Sequence, residues 1–152
     1  MERAVLKIIE IKDDKKRFLD LLLLADEQEN MIDRYLDRGT MYILEDCGVK
    51  AECVVTNEGN NILEIKNIAV VPNAQNKGYG RRLIEFLRDK YKGSFEILQV
   101  GTGDSPLTVP FYERCGFKRA RSVKNFFIDN YDHPIYESGI LLVDMVYFQM
   151  KL

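Results

Sequence analysis

The 152-residue sequence is poor in the side chains that most metal sites and many hydrolytic sites need. It has no tryptophan, three cysteines and one histidine, His133. The cysteines, Cys47, Cys53 and Cys115, are odd in number and form no Cys-x-x-Cys pair, which argues against a disulfide scaffold or a zinc module. A single histidine also weakens the case for a Ser-His-Asp hydrolase. We therefore expect no metal, and chemistry that depends on carboxylates, phenols, hydroxyls and backbone amides.

Long hydrophobic runs and an excess of positive charge are also lacking. The longest uninterrupted apolar run, 21–25, is far shorter than the ~18–20 residues that span a bilayer. Residues 1–4 lack the charged-then-apolar layout of a secretory signal. The net charge is −2, whereas a dedicated nucleic-acid binder usually carries a strongly basic face. We expect a cytoplasmic protein with no nucleic-acid or membrane partner.

Length and composition fit a single domain over residues 1–152. Hydrophobic residues make up 46% of the chain, and its length lies within the ~100–200 residues of one domain. No linker or internal repeat divides the sequence. Apolar periodicity predicts helices over about 13–24 and 30–38. Runs rich in β-branched residues predict a first strand over 3–12, then an antiparallel meander of strands over 40–45, 49–56 and 62–71.

The second half alternates strands and helices. A polar loop over 72–80 leads into an amphipathic helix that ends at Gly93, and a strand follows over 95–100. A strand, a helix and a strand in this order predict a parallel pair within a mixed α/β sheet. The remaining predicted elements are a short helix over 109–115 and strands over 117–127 and 140–151.

The loop and helix start over 72–82 have the composition of an anion-binding turn. Gly78 and Gly80 have no Cβ, so an anion can approach the backbone closely. The start of a helix presents free N–H groups and the positive end of the helix dipole. Basic side chains lie nearby: Lys77, Arg81 and Arg82. A P-loop is excluded by the missing Gly-Lys-Ser/Thr, and Leu83 stands where the dinucleotide pattern needs a third glycine. The turn predicts a pyrophosphate cradle, although Gly-x-Gly alone also fits an ordinary helix cap.

Two motifs resemble those of the GCN5-related N-acetyltransferases. That family's acetyl-coenzyme A motif, Gln/Arg-x-x-Gly-x-Gly/Ala, is matched by Gln75, Gly78 and Gly80, after a strand of the expected type over 64–70. Further along, the sequence PFYERCGF at 110–117 is similar to the family's Phe-Tyr-x-x-x-Gly-Phe signature. The two motifs occur in the expected order and spacing. The resemblance covers essentially the whole chain and is weaker at both ends.

The resemblance implies a fold and a reaction. The fold is that of the acyl-CoA N-acyltransferases: a central, mostly antiparallel sheet of about seven strands, with a parallel pair at strands 4 and 5, flanked by four helices. The reaction takes acetyl-coenzyme A as cosubstrate and the amine of a small molecule, protein or peptide as acceptor. The amine attacks the thioester directly in a ternary complex, so positioning supplies much of the catalysis. A homodimer is compatible with this family.

The resemblance also implies where the coenzyme binds. Strands 4 and 5 diverge in the family, which frees backbone groups near Ile68 and Val70 for the pantetheine and the thioester carbonyl oxygen. The pyrophosphate lies on the amides of the helix start. The full set of implied coenzyme-binding residues is Ile68, Ala69, Val70, Gln75, Asn76, Lys77, Gly78, Tyr79, Gly80 and Arg81.

Two residues are candidates for proton transfer. Tyr112 occupies the position of the family tyrosine that protonates the departing thiolate, and Glu64 that of a glutamate which serves several members as general base. Each has a structural alternative: Tyr112 as a packed aromatic residue, and Glu64 as a solvated strand charge or a partner of Lys66. An alternation count places Glu64 on the same face as Ile68 and Val70, unless a bulge interrupts the strand.

Other functions and two conspicuous segments stay open. A non-catalytic acyl-CoA sensor of the same fold, or a phosphate-binding scaffold that only resembles the family, also fits the motifs. Residues 26–37 contain five acidic side chains and one basic one, which predicts either attraction of a cationic amine or a solvated helix face. The aromatic residues of 126–140 fit a lid, a dimer contact or a small core.

Overall fold

The strand-like segments of the sequence form nine strands in the computed structural model, which describes residues 6–152. In chain order they are β1 (Lys7–Ile11), β2 (Thr40–Glu45), β3 (Val49–Asn57), β4 (Ile62–Val70), β5 (Ile97–Gly103), β6 (Lys118–Val123), β7 (Tyr136–Glu137), β8 (Ile140–Leu141) and β9 (Met145–Lys151). Seven strands form one mixed sheet in the order β1–β2–β3–β4–β5–β9–β6, and β7 pairs with β8 in a separate hairpin. Residues 3–5 of the predicted first strand lie outside the described residues.

Five helices accompany these strands within residues 6–152. They are α1 (Leu19–Ala25), α2 (Glu29–Ile32), α3 (Tyr79–Tyr91), α4 (Val109–Arg114) and α5 (Phe126–Asn130). The helix predicted over 30–38 is shorter, because the chain passes from α2 into tight turns before Gly39. A Cβ at Gly39 would lie 2.6 Å from Val54 Cγ1, so only glycine fits where the chain enters β2.

Each face of the sheet buries a hydrophobic cluster. The cluster on one face joins the apolar stripe of α3 to the sheet through Leu83, Ile84, Leu87, Leu63, Ile65, Leu98 and Phe148. The cluster on the other face joins α1, α2 and the following turns to β2 and β3 through Leu22, Ile32, Leu36, Met41, Ile43 and Val54. Burial of apolar surface on both faces stabilises the sheet by ~25 cal/mol per Å² and fixes α1 and α3 on opposite sides.

The parallel pairing of β4 with β5 confirms the predicted strand–helix–strand unit and the fold class. The pairing ends at Ile65 and Val100, although β4 continues to Val70 and β5 to Gly103. The two strands therefore part beyond this point and leave a gap in the sheet. All other strand pairs are antiparallel in the described part of the chain.

A bulge in β4 changes which side chains share a face. The register of β4 against β3 slips by one residue at Lys66. Ile65 before the slip and Ile68 and Val70 after it all pack into the α3-side cluster, so Glu64 lies on the opposite face. The alternation count that placed Glu64 with Ile68 and Val70 is therefore wrong, because the bulge inserts one residue between them.

The chain after β6 differs from the predicted continuous strand over 117–127. The strand ends at Val123, and Asn125 adopts a left-handed conformation (φ 58°) that asparagine tolerates better than most residues. The Asn125 N–H donates a hydrogen bond to Asp144 Oδ1 at 2.9 Å. The chain then forms α5, a fifth helix where the resemblance implied four.

The predicted strand over 140–151 is divided in the structure. Its first two residues form β8 of the separate hairpin, and β9 begins only at Met145. Phe127 packs with Ile135 and Leu142 in a third cluster beneath this segment. The small-core interpretation therefore holds for Phe127, with Phe126 and Tyr131 packed against it, whereas Tyr136 is exposed.

Candidate active site

A groove runs along the start of α3, and we call it the α3 groove. Residues 68–70 at the end of β4 and the turn before α3 form one wall, and Leu107, Thr108, Phe111 and Tyr112 contribute to the other. The predicted coenzyme-binding residues in its walls are Ile68, Ala69, Val70, Gln75, Asn76, Gly78, Tyr79, Gly80 and Arg81. Lys77 belongs to the same turn and, within residues 6–152, is the member of the predicted set that does not line the groove.

The turn before α3 exposes backbone N–H groups. The Arg82 N–H donates to the Gly78 carbonyl oxygen at 3.0 Å, so the N–H groups of residues 79–81 have no acceptor within the helix. Gly78 has a φ of 87°, and a Cβ built there meets no atom within 4 Å. Glycine is thus required by the backbone conformation, and the space beside it stays open. This arrangement matches the expected environment of an anion at a helix start.

Gly80 serves a different purpose from Gly78. A Cβ at Gly80 would lie 3.1 Å from Phe111 Cζ, closer than ordinary contact. The missing side chain lets α3 approach α4, which carries Phe111 and its neighbour Tyr112. Gly80 therefore fixes the distance between the two walls of the α3 groove.

Two side-chain hydrogen bonds hold the turn before α3. The Tyr79 hydroxyl donates to Asp46 Oδ2 at 2.7 Å, and Gln75 Nε2 donates to the Val70 carbonyl oxygen at 3.3 Å. The first bond ties the turn to the β2–β3 connection, and the second ties it to the end of β4. Gln75 of the motif thus fixes the turn against the backbone at the end of β4.

A second cavity of about 300 Å³ lies where β4 and β5 part, and we call it the β4–β5 cavity. Residues 65–68 of β4 and 100–103 of β5 form one side. The end of α1 and the segment from α5 to β9 form the other. The residues common to both cavities are Leu24, Ile68, Thr108 and Tyr112. The two cavities therefore meet at Tyr112.

Tyr112 is both a packed aromatic residue and part of both cavity walls. It is only 7% exposed, and its ring lies edge-on to Phe117 and stacks on Phe148 at 6.2 Å. Burial raises the pKa of the Tyr112 phenol above its ordinary value, so the hydroxyl keeps its proton at neutral pH. A protonated phenol at the junction of two cavities can donate a proton to an anion formed there.

The structure does not bring Glu64 to either cavity wall in the described part of the chain. Glu64 is 5% exposed, its Oε2 pairs with Lys66 Nζ at 2.8 Å, and its Oε1 accepts a hydrogen bond from Gln99 Nε2. Lys66 does line the β4–β5 cavity. Glu64 therefore lies behind Lys66, one ion pair away from the cavity.

The acidic segment over 26–37 divides between two surfaces. Asp26 and Glu27 line the β4–β5 cavity, whereas Glu29 and Asp33 pair with Lys16 on the outer surface at 2.8 and 2.7 Å. Net charge along the sequence predicts an acidic region but not this division. The contacts of Glu29 and Asp33 depend on Lys16, which precedes them by more than ten positions.

Sequence reasoning missed a contact that shapes the β4–β5 cavity. The Tyr131 hydroxyl donates to Asp26 Oδ1 at 2.7 Å across 105 positions of the chain. The Tyr35 hydroxyl donates to the other oxygen, Oδ2, at 3.0 Å. No local motif marks these three residues as partners, because the contact forms only when α5 folds against the end of α1.

A family model described as "Acetyltransferase (GNAT) domain" matches residues 37–119. YvbK of Bacillus subtilis strain 168, described as an uncharacterised N-acetyltransferase, is 35% identical over 139 residues, which cover 88% of each chain. The chain belongs to the GCN5-related N-acetyltransferase (GNAT) family, and the class of reaction is acetyl transfer.

Two solved structures show the same fold at high similarity. A GNAT family acetyltransferase from Elizabethkingia anophelis, with acetyl-CoA bound, is 35% identical with a TM-score of 0.91, covering 97% of this chain and 98% of that one. A Bacillus subtilis acetyltransferase in complex with CoA is 32% identical with a TM-score of 0.89, covering 97% and 99%. These likenesses extend over nearly the whole length of each chain.

Two other kinds of site have no candidate within residues 6–152. No helix there is long and apolar enough to cross a membrane. No group of three or more His, Cys, Asp or Glu side chains in this part of the chain is arranged to hold a metal ion.

Proposed function

We propose that the protein transfers the acetyl group of acetyl-coenzyme A to a primary amine, by direct attack within a ternary complex. The observation that carries the proposal is the junction of the α3 groove and the β4–β5 cavity at Tyr112. The α3 groove holds the coenzyme and the β4–β5 cavity holds the acceptor, so the thioester and the amine meet beside Tyr112. Bound acetyl-CoA and CoA in the two similar solved structures support this cosubstrate.

The α3 groove suits the coenzyme. The N–H groups of residues 79–81 and the open backbone at Gly78 bind the pyrophosphate, with Lys77 and Arg81 adding positive charge. The gap between β4 and β5 leaves the backbone near Ile68 and Val70 for the pantetheine and the carbonyl oxygen. Donors fixed around that oxygen stabilise the negative charge that develops during attack.

Tyr112 supplies the proton that the leaving group needs. The amine nitrogen forms a bond to the thioester carbon, the carbon–sulfur bond breaks, and the sulfur leaves as a thiolate. The Tyr112 hydroxyl donates its proton to that sulfur, and the proton lost by the amine restores the phenol through solvent. Binding both substrates side by side contributes more than any single residue, because it replaces a bimolecular encounter.

The role of Glu64 as general base stays a prediction. A neutral amine must form before attack, and a carboxylate can take the proton directly or through water. Because Glu64 pairs with Lys66 and does not itself line the β4–β5 cavity, the base role requires a proton relay between the cavity and Glu64.

The function is tested by coenzyme release over a panel of amines, with Tyr112→Phe and Tyr91→Phe compared with the unsubstituted protein. We expect Tyr112→Phe to lower kcat ~10²–10⁴-fold, the usual contribution of a general acid, with little change in the Kd for coenzyme A. Tyr91, whose hydroxyl contacts Tyr42 and lines neither cavity, is a matched control.

The outcomes separate the proposal from its alternatives. Tight coenzyme binding with no thiol release under any amine would instead support an acyl-CoA sensor. Adenosine nucleotides that compete as well as coenzyme A would support a phosphate-binding scaffold. An equal loss of kcat in Tyr112→Phe and Tyr91→Phe would remove the acid role from Tyr112.

A further inference from the structure

The wall of the β4–β5 cavity carries more negative than positive charge. Its acidic residues are Asp26, Glu27 and Glu137. Within residues 6–152 its one basic residue is Lys66, whose Nζ lies 2.8 Å from Glu64 and 3.6 Å from Glu58. Lys66 is therefore neutralised from behind, and the carboxylates dominate the charge that a bound molecule meets.

Asp26 is the carboxylate that the fold holds most firmly. The two hydroxyls that donate to it belong to Tyr131, which lines the cavity, and Tyr35, which is buried and does not line it. Tyr35 is 6% exposed, and its hydroxyl accepts a hydrogen bond from Asn67 Nδ2 at 3.0 Å. Asn67 is 3% exposed and also donates to the Leu22 carbonyl oxygen at 3.0 Å. A buried chain of hydrogen bonds thus fixes the orientation of the Asp26 carboxylate.

The environment of Asp26 affects both of its protonation states. Burial raises the pKa of the Asp26 carboxyl, and the hydrogen bonds from Tyr131 and Tyr35 oppose that increase. The two donors stabilise the carboxylate form, because both oxygens then act as acceptors. A cation beside Asp26 would stabilise the same form further.

Aromatic rings complete the surroundings of this carboxylate. The aromatic residues in the wall are Tyr112, Phe127, Tyr131 and Tyr136. Phe127 and Tyr131 stack with their centroids 5.6 Å apart, which makes a rigid aromatic surface next to Asp26. Carboxylates together with aromatic faces form an environment that favours an alkylammonium group.

The chemistry of attack decides which ammonium Asp26 binds. The reacting nitrogen has to be neutral when it attacks the thioester near Tyr112. A carboxylate such as that of Asp26 stabilises a positive charge, so the group that it binds has to be a different one, which stays charged during the reaction. We propose that the acceptor belongs to the diamine class: it carries a second cationic group, and Asp26 binds that group in the β4–β5 cavity. This inference rests on the proposed acetyl transfer, and it makes Asp26 a residue that determines specificity.

Binding measurements on the coenzyme A-loaded protein test the inference. The probes are a series of α,ω-diamines of increasing chain length and the n-alkylamine of each length, titrated by calorimetry. We expect at least one diamine to bind about tenfold more tightly than its monoamine, the effect of one charged hydrogen bond. Asp26→Asn, which keeps an acceptor oxygen and removes the charge, is expected to abolish this preference.

Two further variants make the result decisive. Asp33→Asn removes a carboxylate of the same acidic segment that pairs with Lys16 outside the cavity, so the diamine preference should persist. If Asp26→Asn fails to fold, Tyr131→Phe removes one hydrogen bond to Asp26 and is expected to weaken diamine binding about threefold or more.

Failure of this inference is distinct from failure of the proposed function. No diamine preference at any length, or a preference that survives Asp26→Asn, would overturn the role of Asp26 and leave acetyl transfer intact. Absence of thiol release with every amine would overturn acetyl transfer, while the calorimetric preference would still decide whether Asp26 binds a cation.

Discussion

The sequence predicts a role in proton transfer for both Tyr112 and Glu64, and the structure places the two residues in different surroundings. Tyr112 lies where two cavities meet, and burial raises the pKa of its phenol above the ordinary value. Glu64 has both carboxylate oxygens engaged, one by Lys66 and one by Gln99. The motif around Tyr112 therefore predicts a residue that lines both cavities, whereas the position of Glu64 depends on the bulge that follows it.

The substitution Glu64→Gln distinguishes a base from a structural residue. As the general base, Glu64 would set the acidic limb of the pH profile of kcat/KM, so that limb should shift in Glu64→Gln, and an unmoved limb would place the base elsewhere. We also expect the free energy of unfolding to fall by about 1–3 kcal/mol, since a buried charged hydrogen bond is lost. Steady-state kinetics across pH measures the acidic limb, and urea unfolding measures the free energy of unfolding.

The control is Glu58→Gln, which changes the other carboxylate that pairs with Lys66, at 3.6 Å, and which also accepts hydrogen bonds from Thr56 and Arg38. The acidic limb is expected to stay in place there, because Glu58 lines neither cavity. A displaced acidic limb in Glu64→Gln alone would assign the base role to Glu64 and refute the structural interpretation.

At the scale of elements, the start of α3 depends on one unusual backbone conformation. Gly78→Ala should lower the free energy of unfolding by about 1–2 kcal/mol, the cost of a left-handed conformation for an L-residue. It should also weaken coenzyme A binding, because the same conformation sets the direction of the N–H groups. Urea unfolding and calorimetric titration with coenzyme A measure the two effects.

Gly93→Ala is the control for this prediction. A Cβ at Gly93, as at Gly78, meets no atom within 4 Å, and Gly93 is not among the glycines with positive φ. The two substitutions thus differ in backbone strain and not in available space. Equal losses of stability in both variants would show that the conformation of Gly78 is not what matters.

Elements with strong local patterns could be predicted from the sequence, and elements defined by distant contacts could not. The apolar stripe of α3 and the turn at Gly78 follow from spacing alone. The bulge at Lys66 depends on the register of β4 against β3, which local alternation does not specify. Likewise α5 begins after Asn125, whose N–H is bound by Asp144 of a later segment.

The same distinction holds for the candidate site. The glycines and Gln75 of the coenzyme motif are close in sequence, so a pattern reveals them. The wall of the β4–β5 cavity joins Asp26 to Tyr131, and only the folded chain brings them together. Sequence thus predicts the α3 groove far better than the β4–β5 cavity.

At the scale of the whole molecule, stability depends on a buried acid that the proposed reaction does not use. Glu52 is 0% exposed, and neither of its carboxylate oxygens has a hydrogen-bond partner among the described residues. Burial raises the pKa of Glu52 well above its ordinary value. The folded protein therefore holds a proton at a pH where the unfolded chain has already released it.

The sign of the pH dependence follows from this raised pKa. The stabilisation is fully present below the unfolded pKa and is lost as the pH rises toward the folded pKa, by up to about 1.4 kcal/mol per pH unit. We expect Glu52→Gln to be more stable than the unsubstituted protein at pH 8, with the difference shrinking towards pH 5. Urea unfolding of both proteins at several pH values measures this difference in the free energy of unfolding.

Glu10→Gln on the exposed face of β1 is the control, and it should leave the pH dependence of stability unchanged. If Glu52→Gln follows the same pH dependence as the unsubstituted protein, Glu52 is not the group that couples protonation to folding.

The parting of β4 and β5 also has a consequence for the order of events during turnover. It gives the molecule two openings with separate walls that share only four residues in the described chain. Under the proposed function, the coenzyme enters by the α3 groove and the acceptor by the β4–β5 cavity, so neither has to pass the other. A single compound that joins an amine to coenzyme A would span both openings and block the two routes at once.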